Sequence, residues 1–158
     1  MGEGHEEVAT CLSSIAFVRS NMGDEDGALQ YLNEALVIRM DRLGDDHELV
    51  GDTHNNLAYF HCALGNRDKA RHHLWEALTI RKLCKADQKV ADTLNNLGNV
   101  HKDMGEYDLA IECYQEALRV RERSQIEGIG DTYFNLGDLY VLKNDLESAT
   151  ECYEESLR

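Results

Sequence analysis

Proline is absent from this 158-residue sequence, tryptophan occurs once and phenylalanine three times. Without proline no helix interior is forced to break. Interruptions must therefore come from glycine and short polar side chains. Long apolar runs are missing as well, since nowhere do about 18 apolar residues follow one another, and this excludes a membrane-spanning helix. The opening "MGEGHEEVAT" has neither the basic start nor the apolar stretch of a signal peptide. Glu6 stands where N-myristoylation favours Ser or Thr. Cations are scarce: 16 Lys and Arg against 30 Asp and Glu leave a formal net charge of −14. That charge repels phosphate backbones and anionic headgroups, so neither nucleic acid nor a membrane is expected as a partner.

Five cysteines, Cys11, Cys62, Cys84, Cys113 and Cys152, are odd in number and contain no C-x-x-C pair. They suggest neither a disulfide framework nor a zinc knuckle, and point to a cytoplasmic or other reducing intracellular compartment. Seven histidines are present, but the H-x3-H spacing that would begin a zinc site is missing. His61 and His101 are expected to pack between helices, and no metal or other cofactor is expected. Strings for a P-loop, a G-x-G-x-x-G turn or a G-x-S-x-G elbow are absent. Cys62 beside His61 makes no thiol nucleophile, because adjacent helix residues point about 100° apart. The chain reads as a non-enzyme.

What is present is a repeat. Gly23, Gly65, Gly105 and Asn144 mark turns spaced by 42, 40 and 39 residues (65 − 23, 105 − 65, 144 − 105). Seven residues before each marker stand Ala16, Ala58, Gly98 and Gly137; five after it, Ala28, Ala70, Ala110 and Ala149; twelve after it, Ala35, Ala77, Ala117 and Ser156. Larger side chains recur between them: Ile15, Leu57, Leu97 and Leu136 before the marker, then Leu32, Leu74, Tyr114 and Tyr153 after it. A period of this length means stacked supersecondary units, here two amphipathic helices joined by a tight turn. Two helices approach to about 8–10 Å only where side chains at the crossing are small, so the recurring Ala and Gly are read as crossing points.

These residues resemble the tetratricopeptide repeat (TPR), whose pattern is W-x2-L-G-x2-Y followed by A-x3-F and A. "TLNNLGNVH" carries its L-G at Leu97 and Gly98, and "LAIECYQEAL" its later positions at Ala110, Tyr114 and Ala117. The Trp and the closing Pro of the pattern are absent. The longer period, the "NNLA" and "NNLG" strings and the "LGDDHELVGDTHNNLA" lead-in are similar to the kinesin-light-chain class of these repeats. The resemblance implies an all-α fold, a right-handed superhelical α-solenoid of four antiparallel helix pairs whose first helices line a concave groove. It also implies a chain that binds proteins. The expected organisation is one solenoid over residues 1–158, with repeats at about 8–42, 50–84, 90–123 and 129–158. "MGEGHEEV" aligns with the inter-repeat segment "LGDDHELV", so a piece of a longer array is expected.

Polar residues recur on the first helix of each unit. Nine before the marker are Ser14, Asn56, Asn96 and Asn135; thirteen before it are Thr10, Asp52, Asp92 and Asp131. Four apart, each pair shares a helix face. The Asp set has two readings, helix capping and groove contact. The mid-helix Asn set has no capping role and is read as ligand-contacting. With Asn55, Asn95, Tyr59 and Asn99 these residues form the expected peptide-binding groove. Related arrays that clamp a terminal carboxylate use Lys or Arg here, which this chain lacks. The expected activity is a protein-interaction scaffold that takes an extended, basic segment. The alternative is a structural assembly element that associates with its own copies, end to end, or with subunits of a larger complex.

Overall fold

Eight helices and no strand make up the described residues, 3–158, of the computed structural model: α1 Glu3–Asn21, α2 Glu25–Leu43, α3 Glu48–Ala63, α4 Arg67–Leu83, α5 Asp87–Asp103, α6 Tyr107–Ser124, α7 Ile129–Leu142 and α8 Leu146–Ser156. Met1 and Gly2, on which the myristoylation argument bears, lie outside the described residues. The helices pack chiefly in sequential pairs, α1 with α2, α3 with α4, α5 with α6 and α7 with α8. The chain divides between Lys85 and Ala86 into two compact units. In the first, α2 also packs on α3; in the second, α6 packs on α7. Each is an all-α stack of helix pairs.

The marker residue is the one the turn requires. Gly23, Gly65, Gly105 and Asn144 have φ of 81°, 75°, 77° and 60°, the left-handed region open to Gly and, among other residues, most often to Asn. Each is followed by a residue whose N–H reaches back five positions. Asp24 donates to Arg19 O, Asn66 to His61 O, Glu106 to His101 O and Asp145 to Tyr140 O, at 2.8–2.9 Å. This Schellman-type closure satisfies carbonyls at the end of the first helix, and four copies of it set four hairpins.

The small residues sit at the crossings. Ala16, Ala28, Ala70, Ala110, Ala35, Ala77 and Ala117 are fully buried. In the first unit Ala16, Ala28, Leu32, Leu36, Val50, Leu57, Phe60 and Ile80 form the core cluster; in the second it is Ala110, Tyr114, Leu118, Leu136, Leu139 and Cys152. Gly98 has a specific cause. A Cβ there would meet Cε1 of Tyr114 at 2.5 Å, and one at Gly137 would meet Cε1 of Tyr153 at 2.7 Å. The first unit uses Ala58 and Leu74 at the corresponding sites, both buried.

Candidate functional site

Asp52 and Asp92 lie inside α3 and α5, past the capping positions. His47 caps α3 through Nδ1, and α5 starts after Ala86 with no side-chain cap. Each carboxylate instead meets an arginine 29 residues later (81 − 52, 121 − 92). Arg81 Nη2 donates to Asp52 Oδ1 at 2.9 Å and Arg121 Nη2 to Asp92 Oδ1 at 2.7 Å. In the first pair Arg39 Nη2 reaches Thr10 Oγ1 at 3.3 Å, also 29 apart (39 − 10), while its Nη1 donates to Thr53 Oγ1 at 2.7 Å and its Nε lies 3.4 Å from Glu6. The three arginines are only 3–5% exposed, and burial of a charge demands such partners. All three stand sixteen residues after the marker (39 − 23, 81 − 65, 121 − 105). That recurrence is visible in the sequence but does not stand out, because Arg near a helix C-terminus is unremarkable.

The other groove candidates divide by what already holds them. Asn55 Oδ1 accepts from Arg81 Nη1 at 3.3 Å, and Asn99 Oδ1 accepts from the buried Tyr114 hydroxyl at 2.7 Å. Asn95 Nδ2 donates to Thr132 Oγ1 at 3.1 Å. Asn56, Asn96 and Asn135 have no hydrogen-bond partner among the described residues, and all three retain solvent contact. Tyr59, 61% exposed, presents its ring edge-on to Phe60 at 5.3 Å. Phe17 also leans on Phe60, at 5.3 Å. The first unit thus shows aromatic rings at the site where the second has Asn99 and Asp138, each bonded to a tyrosine hydroxyl.

In the second unit a cleft of about 430 Å³ collects Asp92, Asn95, Asn96 and Asp131, together with Gln88, Arg121, Glu127 and Gly128. It therefore joins four of the expected groove residues. Gln88 Nε2 donates to Asp92 at 3.1 Å, and Arg121 Nη1 donates to the Glu127 carbonyl. Three carboxylates against one guanidinium leave the lining acidic.

A separate polar cluster lies between α3 and α4. Nδ1 of His54 and Nδ1 of His73 are 2.9 Å apart, and the His61 ring stacks on His73 with centroids at 5.4 Å. Burial lowers the pKa of all three; that of His73 falls to about 4, helped by the neighbouring imidazoles and Lys69. This places neutral rings in the pair interior. Among the described residues no group of three or more His, Cys, Asp or Glu is arranged to hold a metal ion, and no helix is long and apolar enough to cross a membrane.

The sequence matches the tetratricopeptide repeat over residues 2–83 and 89–158. No curated protein matches it. Among solved structures, BtubC (BKLC) from P. vanneervenii is 25% identical and superposes with a TM-score of 0.86 over 95% of this chain and 62% of that one. Aspartyl phosphate phosphatase F from Bacillus subtilis is 19% identical, with a TM-score of 0.88 over 97% of this chain and 40% of its own. Kinesin-light-chain, nearly identical TPR-like repeats from Podosopora anserina are 16% identical, with a TM-score of 0.80 over 94% and 72%. The chain spans less than two thirds of the first and second of these three. The extended period of about 40 residues is consistent with the kinesin-light-chain-like subclass.

Proposed function

We propose, for a chain that belongs to the tetratricopeptide repeat family, that it is a non-catalytic scaffold binding an extended protein segment along the first-helix faces. One observation carries this. Asn56, Asn96 and Asn135 recur at one site of three successive first helices, and none has a partner among the described residues. A mid-helix amide that serves neither cap nor core is a donor and an acceptor in waiting. Backbone N–H and C=O groups of an extended chain supply the matching partners. Tyr59 and Asn99, beside them, add a ring face in one unit and amide donors in the other. The acidic setting of Asp92, Asp131 and Glu127 favours segments carrying Lys or Arg. A peptide-library screen on the intact protein tests the reading: enrichment of basic extended peptides, lost on Asn96→Ala, is expected, and enrichment of acidic tails overturns it.

A second reading rests on α8. Leu36, Leu78 and Leu118 are 1–9% exposed, whereas Leu157, at the same repeat site, is 89% exposed, with Leu146 at 62%. That face fits a helix like those that α2 and α6 receive, such as α1 of a second copy, giving end-to-end assembly. Concentration-dependent light scattering that Leu157→Glu abolishes is the expected result, and a monomer at all concentrations overturns it.

A further inference from the structure

The second hairpin has a node where two residues of α3 meet one of α4: His54 and His61, eleven and four before the marker, and His73, eight after it (65 − 54, 65 − 61, 73 − 65). All three are imidazoles. At the same repeat sites the other hairpins place at most one, with Arg19 over the Tyr31 ring in the first, His101 and Cys113 in the third, and Tyr140 and Cys152 in the fourth. The geometry of the node suits neutral rings. His54 and His73 face each other through Nδ1 at 2.9 Å, so one ring donates and the other accepts. With both charged, two N–H groups would meet head-on. His61 Nδ1 is buried without a partner, which a neutral ring tolerates by carrying its proton on Nε2. An imidazolium, with N–H on both nitrogens, would leave one of them unpaired. The third hairpin supplies the contrast. His101, at the repeat site of His61, meets the Glu106 carboxylate at 2.6 Å, whereas Asn66 stands at the site of Glu106 in the second hairpin. Beyond the rings themselves, the charges that act on them stand on α4: Glu76 favours the charged form of His54, and Lys69 and His72 oppose charge on the node. The other helix packed on α3, α2, supplies none among the described residues.

We propose, building on the scaffold reading, that this node is a proton-operated latch. Neutral, it holds α3 on α4 and presents the face of Asn56 and Tyr59 whole; proton uptake in an acidic setting opens that hairpin ahead of the others and releases the bound segment. The open hairpin binds the protons that the closed one refuses, so opening grows as pH falls below 6.5, the value of the free side chain. With His73 at about 4 in the closed form, the opening constant should rise about twentyfold between pH 7 and pH 5.

Native-state hydrogen exchange on the whole chain, corrected for the intrinsic pH dependence of amide exchange, reads the latch directly. Protection along α3 and α4 should fall about twentyfold between pH 7 and pH 5, while that along α5 and α6 moves by less than about threefold. His54→Leu with His73→Cys installs the residues that the third hairpin carries at these sites, Leu94 and Cys113, so the double variant has a packing precedent. It should cut the fall to about threefold. Asn66→Glu gives His61 the carboxylate that His101 has and should shrink the fall in part. A fall shared equally by all hairpins, a fall unchanged in both variants, or no fall overturns the latch. A peptide library loaded at pH 7 and washed at pH 5 tests the consequence. Peptides should leave the wild-type protein and stay on the double variant, and retention by both overturns the gating. No peptide retained at pH 7 sinks the scaffold reading alone, with the exchange result deciding the latch. Peptides retained at pH 7 by a protein whose α3 and α4 protection holds at pH 5 sink the latch alone.

Discussion

Gly98 and Tyr114 are two halves of one choice made differently in the two units. Where the second helix carries Leu74, the first can carry Ala58; where it carries Tyr114, the ring occupies the space of the missing Cβ and its hydroxyl finds Asn99. Gly98→Ala adds about 1 kcal/mol of helix propensity yet should lower stability by about 1–3 kcal/mol through overpacking. Adding Tyr114→Leu rebuilds the first-unit combination, so the double variant should lose less than the two single changes together. Urea midpoints decide it, and simple additivity would show that ring and glycine are not coupled. Asp92 offers a second residue-scale test. Asp92→Asn leaves the 3% exposed Arg121 without its countercharge. Because the Asp92 side chain is 48% exposed, solvent screening holds the expected loss to about 1 kcal/mol. Asp131→Asn, with no arginine on it among the described residues, should change stability by less than about 0.5 kcal/mol.

At the scale of helices, the pair α3 and α4 combines tight crossings with a buried imidazole cluster. Ala70 is fully buried and Ala63 is exposed. Ala70→Leu should cost about 1–3 kcal/mol and Ala63→Leu almost nothing. The histidines make the same pair acid-sensitive. His73 has a folded pKa of about 4 against 6.5 for the free side chain, and those of His54 and His61 are lowered too. Between those values the unfolded chain binds more protons, so stability is full above pH 6.5 and is lost as pH falls toward 4. His73→Leu should flatten that loss; an unchanged pH profile would show that the ring titrates freely. Helix pairs, turns and crossing sites were legible because period, left-handed turn residues and small side chains are local signals repeated four times. The arginine partners of Asp52 and Asp92 were not, because they join helices through burial that the pattern of Asp alone does not disclose. Capping and groove contact were the readings visible from one helix; the third, an intra-pair ion bridge, needed two.

Across the whole molecule the hairpins share a stability logic despite their different sequences. Every pair is closed at its turn by the backbone bond to the first helix. Three are closed again toward the far end, where Arg39, Arg81 and Arg121 reach back to Thr10, Asp52 and Asp92 in the N-terminal halves of α1, α3 and α5. Such a hairpin has no loose end from which to fray, and opening its tips requires unseating a buried guanidinium. Native-state hydrogen exchange should therefore report protection that stays nearly level along α4 and α6. The final turn of α8, held to α7 by the Tyr153 hydroxyl on Asp138 but by no arginine among the described residues, should exchange first. Arg121→Gln should turn the level profile of α6 into a gradient that falls away from the turn. The arginines would then set how far local openings travel along a helix, and so decide whether a helix pair opens whole or in fragments.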